Sequence, residues 1–208
     1  MPGKVRWDTL RRNPAIRNAL IYSPTQLTMR TMRFLSALFC LLSIQYLQAQ
    51  EPAAFEALPN QTVALSGDLS AGSPMPDLSW AWNSSVACFP ATQQTKFNGH
   101  HVLYQTIIPA YSEMEIKLIP TDPNHNMSIY AYEIGEQNNS IVPNLPSCIR
   151  CEVDHKWDRP WKGKTQDHTR TVKNIVAINR PYKVIIGVTG AEGLSEGAFT
   201  IEVSTKSK

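Results

Sequence analysis

Short runs of alternating hydrophobic and polar residues follow one another after residue 50. In 114–119 (MEIKLI), Glu115 and Lys117 alternate with Ile116 and Leu118, and this period of two predicts a strand with one face in the core and one in solvent. Pro, Gly, Asn and Asp separate the runs, and no long amphipathic helix pattern occurs. Strands at this spacing predict an all-β sandwich or barrel with one core. The predicted strands are 62–69, 102–108, 114–119, 127–134, 172–178, 182–189 and 198–203.

Two longer stretches lack this alternation. The first, 71–98, contains Trp80, Trp82 and Cys88. The second, 135–170, carries three prolines, two more cysteines and many of the basic residues, with no strand periodicity. Segments of this length without secondary structure are uncommon inside a compact domain. We therefore expect the insert at 135–170 to be pinned to the rest of the fold or to serve the function.

The start of the chain predicts export. Arg30 and Arg33 precede an apolar run of about a dozen residues, and Ala49 stands where cleavage is expected, which is the layout of a secretory signal peptide at 29–49. The run is short for a membrane span, although a retained anchor is the alternative. Residues 1–28 read as an unstructured extension, either a start codon assigned too early or an added leader. The mature product, a single domain from residue 50 to 208 with no membrane span, should be secreted, periplasmic or at the cell surface.

The charge distribution argues against nucleic acid as a partner. The chain has 20 Lys and Arg against 17 Asp and Glu, but seven of the basic residues and one acidic residue lie in 1–50. Subtraction leaves 13 basic and 16 acidic residues in the rest of the chain. Binding to phosphate backbones needs a basic face, and a mildly acidic domain does not supply one.

Two segments resemble a known family. FNGHHVLYQTIIPAYSEMEIKLIPTDPNHNMSIYAYEIG and YKVIIGVTGAEGLSEGAFTIEV are similar to the first half and the closing hairpin of the bacterial pre-peptidase C-terminal family. The resemblance covers 97–203, interrupted by the insert at 135–170. It implies a secreted, jelly-roll-like antiparallel β-sandwich that serves as an accessory or binding module, which in that family usually follows a protease or other hydrolase. Its motifs are strands and turns without a catalytic signature.

Three cysteines follow residue 50, an odd number for an oxidising compartment. One disulfide, most simply Cys88 with Cys148 or with Cys151, would join the two irregular stretches. The alternative is a zinc site, because Cys148 and Cys151 have a Cys-x2-Cys spacing and His155 and His168 follow as further ligands. That alternative would make the chain a metal-binding protein or a metal-dependent hydrolase.

A second metal hypothesis concerns the segment DPNHNMS. Asp122, Asn124 and Asn126 place oxygen atoms at alternate positions, and Glu133 follows eleven residues after Asp122, a spacing that is similar to a calcium loop. Met127 stands where such a loop needs Gly, and Asp-Pro-Asn is also an ordinary turn signal. We therefore favour a turn over a calcium site.

The tryptophans of the irregular stretches are the candidate binding residues. Exposed aromatic side chains can stack on the apolar faces of sugars or proteins, whereas the alternative is a small satellite core beneath the loops. Basic residues interleave with two of these tryptophans, but Glu152, Asp154 and Asp158 are mixed among them, so we expect a solvated loop. The candidates are Trp80, Trp82, Trp157 and Trp161.

The sequence shows no H-E-x-x-H or phosphate-binding motif, and its G-x-S-x-G string, GLSEG at 193–197, lies in the Gly-rich loop of the closing hairpin and not between a strand and a helix. We therefore expect an exported, non-catalytic binding or accessory module without a cofactor, calcium or zinc being the alternatives. Its expected partner is a surface polysaccharide or an envelope or secreted protein.

Overall fold

The structure, a computed structural model, describes residues 51–82, 84–159 and 162–208. The predicted signal peptide, the extension before it and Trp161 lie outside the described residues. Within the described ranges, no helix is long and apolar enough to cross a membrane.

The described residues form ten strands in two sheets that pack as a β-sandwich, which confirms the predicted all-β fold. In sheet A the order is β1–β4–β9–β6–β7, with β3 also paired to β4, and in sheet B it is β2–β10–β5–β8. All pairs are antiparallel except the two-residue pairing of β1 with β4. The strands are β1 Ala53–Ala54, β2 Thr62–Asp68, β3 Ser73–Pro74, β4 His100–Ile108, β5 Ser112–Pro120, β6 Met127–Gly135, β7 Arg150–Asp154, β8 Arg170–Ala177, β9 Tyr182–Gly190 and β10 Ala198–Ser207. Short 3₁₀ helices lie at Leu69–Ala71, Ser79–Ala81 and Ala91–Lys96.

The alternation in β5 has the predicted consequence. Ile116 and Leu118 are fully buried between the sheets. Lys117 lies on the outer face of sheet B, where its Nζ is 3.9 Å from an oxygen of Glu202 on β10. Such exposed cross-strand pairs contribute little stability, and the inter-sheet core holds the two sheets together.

A second hydrophobic cluster covers the opposite face of sheet A, so the prediction of one core was wrong. Alternate residues of β6 face the two clusters, with Ile129 between the sheets and Tyr130 and Tyr132 on the outer side. This explains why eight consecutive residues of β6, from Met127 to Ile134, are buried. The covering residues belong to 75–82, 84–97 and 136–149, which we call the loop layer.

The insert at 135–170 was predicted to lack strands, and this is wrong at β7. Arg150–Asp154 pairs with β6 and lies beside β8 at the edge where the two sheets meet. There a carboxylate oxygen of Asp154 accepts a hydrogen bond from Thr171 N at 2.8 Å. The Arg150 guanidinium donates to the carbonyl oxygen of Asn174. Side chains of β7 therefore form hydrogen bonds with backbone groups along the edge of β8.

Candidate functional site

Trp80 is a core residue of the loop layer. It is 8% exposed, and its ring centroid lies 5.9 Å from that of Tyr130 and 6.0 Å from that of Tyr132. The Tyr132 hydroxyl donates to the carbonyl of Val86 at 2.7 Å and holds the loop against β6. For Trp80 the structure matches the satellite-core alternative and leaves no exposed aromatic face.

Trp82, two residues later, lies at the surface of the same layer. It is half-buried, its ring centroid is 6.3 Å from that of Phe89, and Pro90 beside it is exposed. Together they form an open hollow of about 390 Å³, which we call the aromatic surface. Its lining residues are Trp82, Ala87, Cys88, Phe89, Pro90 and Ala91.

Ring contacts connect the aromatic surface with the insert. Phe89 stacks on Phe97 with centroids 3.9 Å apart, and Phe97 meets the ring of His155 edge-on at 5.7 Å. The sequence could not show this series, because its members come from the two irregular stretches. These ring contacts support the aromatic surface and connect it with His155, two residues before Trp157.

Trp157 is 37% exposed and lies in a segment that polar contacts hold in place. The side chain of Gln166 accepts from Trp157 N at 3.0 Å and donates to its carbonyl at 3.3 Å. Lys96 donates to the carbonyl of Lys156 at 2.9 Å and forms an ion pair with Asp158. The hydrogen bond from Lys96 is the main cause that lowers the pKa of Asp158. A hydrogen bond and an ion pair of Lys96 thus hold the insert against the Ala91–Lys96 helix.

The cysteines form one disulfide, and the pairing is Cys88 with Cys151. This confirms the predicted link between the irregular stretches and resolves which of the two candidate pairings forms. Cys148 is a half-buried free thiol, and burial raises its pKa. Because the Cys151 sulfur is in the disulfide, Cys148 and Cys151 cannot both bind zinc as thiolates.

The two histidines of the zinc hypothesis have other partners. The Nδ1 of His155 donates to the carbonyl of Lys156 at 3.0 Å, and the Nδ1 of His168 accepts from the Arg170 guanidinium at 2.8 Å. The structure therefore does not present these four side chains together as a ligand set. In the described part of the chain, no three His, Cys, Asp or Glu side chains are placed to hold a metal ion together.

The DPNHNMS segment forms the turn that its sequence favours. The Asp122 carboxylate accepts hydrogen bonds from the backbone N and the side-chain amide of Asn124, both at 2.9 Å. Asn126 precedes β6, whereas Glu133 lies near the other end of that strand, about 20 Å away at the usual rise per residue. Glu133 therefore does not converge with the oxygen atoms of the DPNHNMS segment. Glu133 is 1% exposed, and burial raises its pKa.

A buried histidine on β4 supports the loop layer. His101 is fully buried, its Nε2 donates to the carbonyl of Phe97 at 2.8 Å, and its Nδ1 accepts from the Tyr130 hydroxyl at 3.1 Å. Burial lowers the pKa of His101 to about 4. The neutral imidazole therefore connects β4, β6 and the end of the Ala91–Lys96 helix.

Comparison with known proteins gives only distant structural likenesses. No protein-family model and no curated protein matches the chain. The periplasmic inhibitor of g-type lysozyme from Aeromonas hydrophila is similar at 10% identity and a TM-score of 0.38, over 76% of this chain and 99% of that one. The pre-peptidase C-terminal domain of a Bacillus anthracis collagenase is similar at 14% identity and a TM-score of 0.36, over 76% and 98%. A cleaved adhesin domain of Lys-gingipain from Porphyromonas gingivalis follows at 12% and 0.30, over 70% and 99%. These values establish neither a family nor an activity.

Proposed function

We propose that this chain is an exported, non-catalytic binding module that holds a surface polysaccharide on the aromatic surface. The observation that carries the proposal is the half-buried Trp82, which lies beside Phe89 and the exposed Pro90 around an open hollow. Aromatic rings present a flat apolar face at low entropic cost and can stack on the apolar face of a sugar. An envelope or secreted protein is the second candidate partner.

The rigidity of the surface supports a binding role. Cys88 in its lining is bridged to Cys151 on β7, and the ring of Phe89 is stacked on that of Phe97. A preorganised surface loses less conformational freedom when a ligand binds. The lining side chains offer neither a nucleophile nor a general base, so the proposed action at this surface is binding.

The proposed location follows from the disulfide and the predicted leader. Stable disulfides are typical of the periplasm and the extracellular space, and the bridge here joins segments 63 residues apart. We place the mature chain there, after cleavage near Ala49. The resemblance of 97–203 to the pre-peptidase C-terminal family supports an accessory role beside a separate enzyme or surface polymer.

Co-sedimentation with insoluble envelope polysaccharides, followed by affinity electrophoresis, tests the proposal. We expect Trp82→Ala to weaken retention at least tenfold and Trp157→Ala to weaken it less. Tyr111→Ala is the matched control, because Tyr111 is an aromatic residue that is 62% exposed in the turn between β4 and β5, away from the loop layer. Thermal unfolding checks that each variant is folded. If Trp82→Ala retains every polymer that the wild type retains, the aromatic surface is not the binding site. If the wild type binds no polysaccharide but retains envelope proteins, and Trp82→Ala no longer retains those proteins, the partner is a protein and not a polysaccharide.

A further inference from the structure

Within the part of the chain that the structure describes, the outer edge of β2 presents unpaired backbone groups in a regular row. Thr205 N donates to the carbonyl of Gln61, and Leu69 N donates to the carbonyl of Gly197. Both bonds flank β2 in its unbroken antiparallel register with β10. Alternate residues of an antiparallel pair direct their backbone N–H and C=O groups to opposite sides of the strand. The odd-numbered residues of β2 therefore hydrogen-bond to β10. The N–H and C=O groups of the even-numbered residues point away from β10, toward the open edge. The residues of β2 whose backbone groups face outward are Thr62, Ala64, Ser66 and Asp68.

The other sheet edges are protected by identifiable contacts. On β8, the side chains of Asp154 and Arg150 occupy backbone groups, and β7 lies against β8. The edge of β4 is covered by β1 and β3, and Thr106 Oγ1 accepts from Ala57 N at 3.1 Å. Native proteins usually block exposed edges in such ways, because an open edge is a template for another strand.

β2 has none of these protections among the described residues. Its residues 62–67 (TVALSG) contain no Lys, no Pro and no other charged side chain, and its register shows no bulge. Thr62, Ala64 and Ser66 are exposed, and Val63 and Leu65 are half-buried. The edge is therefore both accessible and chemically able to pair.

We propose that the edge of β2 pairs antiparallel with β2 of a second copy of this chain, extending sheet B across a two-fold axis at Leu65. In the register that overlaps the full strands, Thr62 opposes Asp68 and Ala64 opposes Ser66. Even-numbered residues then oppose even-numbered residues, so the outward N–H and C=O groups of the two copies meet. Asp68, the one charged residue of β2, lies opposite a threonine, so the pairing opposes no like charges.

The same register places apolar side chains together on the inner face. Leu65 packs against the inter-sheet core from its rim, and the two-fold axis brings it next to Leu65 of the second copy. Both strands are seven residues long, which corresponds to about 24 Å of paired edge. Such a contact buries less than the roughly 800 Å² per partner of a standard stable interface. The dimer is therefore weak and reversible, and its formation depends on concentration.

Sedimentation velocity of the folded, exported chain from micromolar to millimolar concentration tests the proposal. We expect a monomer that converts to a dimer as the concentration rises. Ala64→Pro removes an outward N–H that β10 does not use, a place where an edge strand tolerates proline, and should weaken the dimer at least tenfold. Ala64→Thr is the matched control, because it keeps the N–H and should leave the dimer unchanged.

If circular dichroism shows that Ala64→Pro does not fold, a second variant tests the proposal. Ala64→Lys adds a charge that lies diagonally across the two-fold axis from its copy, so the dimer should weaken most at low salt. A wild type that stays monomeric throughout overturns the proposal, as does a dimer that both substitutions leave intact. Trp82→Ala should leave the dimer unchanged, so this result is separate from the test of the aromatic surface.

Discussion

The Cys88–Cys151 disulfide closes a loop between residues 63 positions apart. Its removal by Cys88→Ala with Cys151→Ala should lower the free energy of unfolding substantially. In the chain-entropy account a bridge stabilises by restricting the unfolded chain, and a loop of this size corresponds to about 4 kcal/mol at 25 °C. Small domains have total stabilities of about 5–15 kcal/mol. The double variant should therefore still fold, with about 1–11 kcal/mol of stability remaining.

Equilibrium unfolding in urea, followed by tryptophan fluorescence, measures this loss. With a slope of about 2 kcal/mol per molar urea, the midpoint should fall by about 2 M. Cys148→Ala is the matched control, because it removes a half-buried sulfur but leaves the bridge, and its midpoint should stay close to that of the wild type. The wild type under reducing conditions should behave like the double variant.

Two outcomes would refute this reasoning. A loss below about 1 kcal/mol would mean that the reduced, unfolded chain already keeps the two segments together, so that the bridge restricts nothing. A loss in Cys148→Ala equal to that of the double variant would assign the effect to sulfur packing in the loop layer and not to the bridge.

Two further predictions concern buried groups. Because the pKa of His101 is about 4 in the fold against 6.5 in the unfolded chain, the unfolded chain binds more protons between these values, and stability should fall by up to about 3 kcal/mol as pH falls from 6.5 to 4. In urea unfolding at several pH values His101→Gln should flatten this dependence, and an unchanged profile would contradict the assignment. A Cβ added at Gly187 would lie 2.0 Å from the Tyr130 ring, whereas one at Gly135 meets nothing within 4 Å. Thermal unfolding should show that Gly187→Ala destabilises by at least about 2 kcal/mol and Gly135→Ala hardly at all; equal effects would disprove the contact.

The strands of the sandwich were predictable because their signal is local. The alternation of 114–119 identifies β5 and its buried face without knowledge of its partners. For β6, the run MSIYAYEI predicts a strand but not that both faces are covered. The cover comes from residues such as Val86, which meets Tyr132 across 46 positions of sequence. No local pattern contains that contact.

The candidate site was predictable only in part for the same reason. Trp80 and Trp82 are two residues apart with similar surroundings in sequence, yet one lies in the core and the other at the surface. Both tryptophans contact the ring of Phe89, and Trp80 also packs against the two tyrosines of β6, Tyr130 and Tyr132. The five-residue strand β7 was missed because it is short and gains its definition from pairing with β6.

The position of β10 in sheet B determines the order in which the fold can be assembled. β10 lies between β2 and β5 and supplies the pairing partner of both. β9 has the same position between β4 and β6 in sheet A. A chain that emerges from a ribosome or a translocation pore with its N-terminus first therefore exposes β2, β4, β5 and β6 before their central partners have appeared. Strands that lack a partner on one or both edges are prone to aggregation, so vectorial delivery of this chain favours conditions that keep its early strands apart until β9 and β10 arrive.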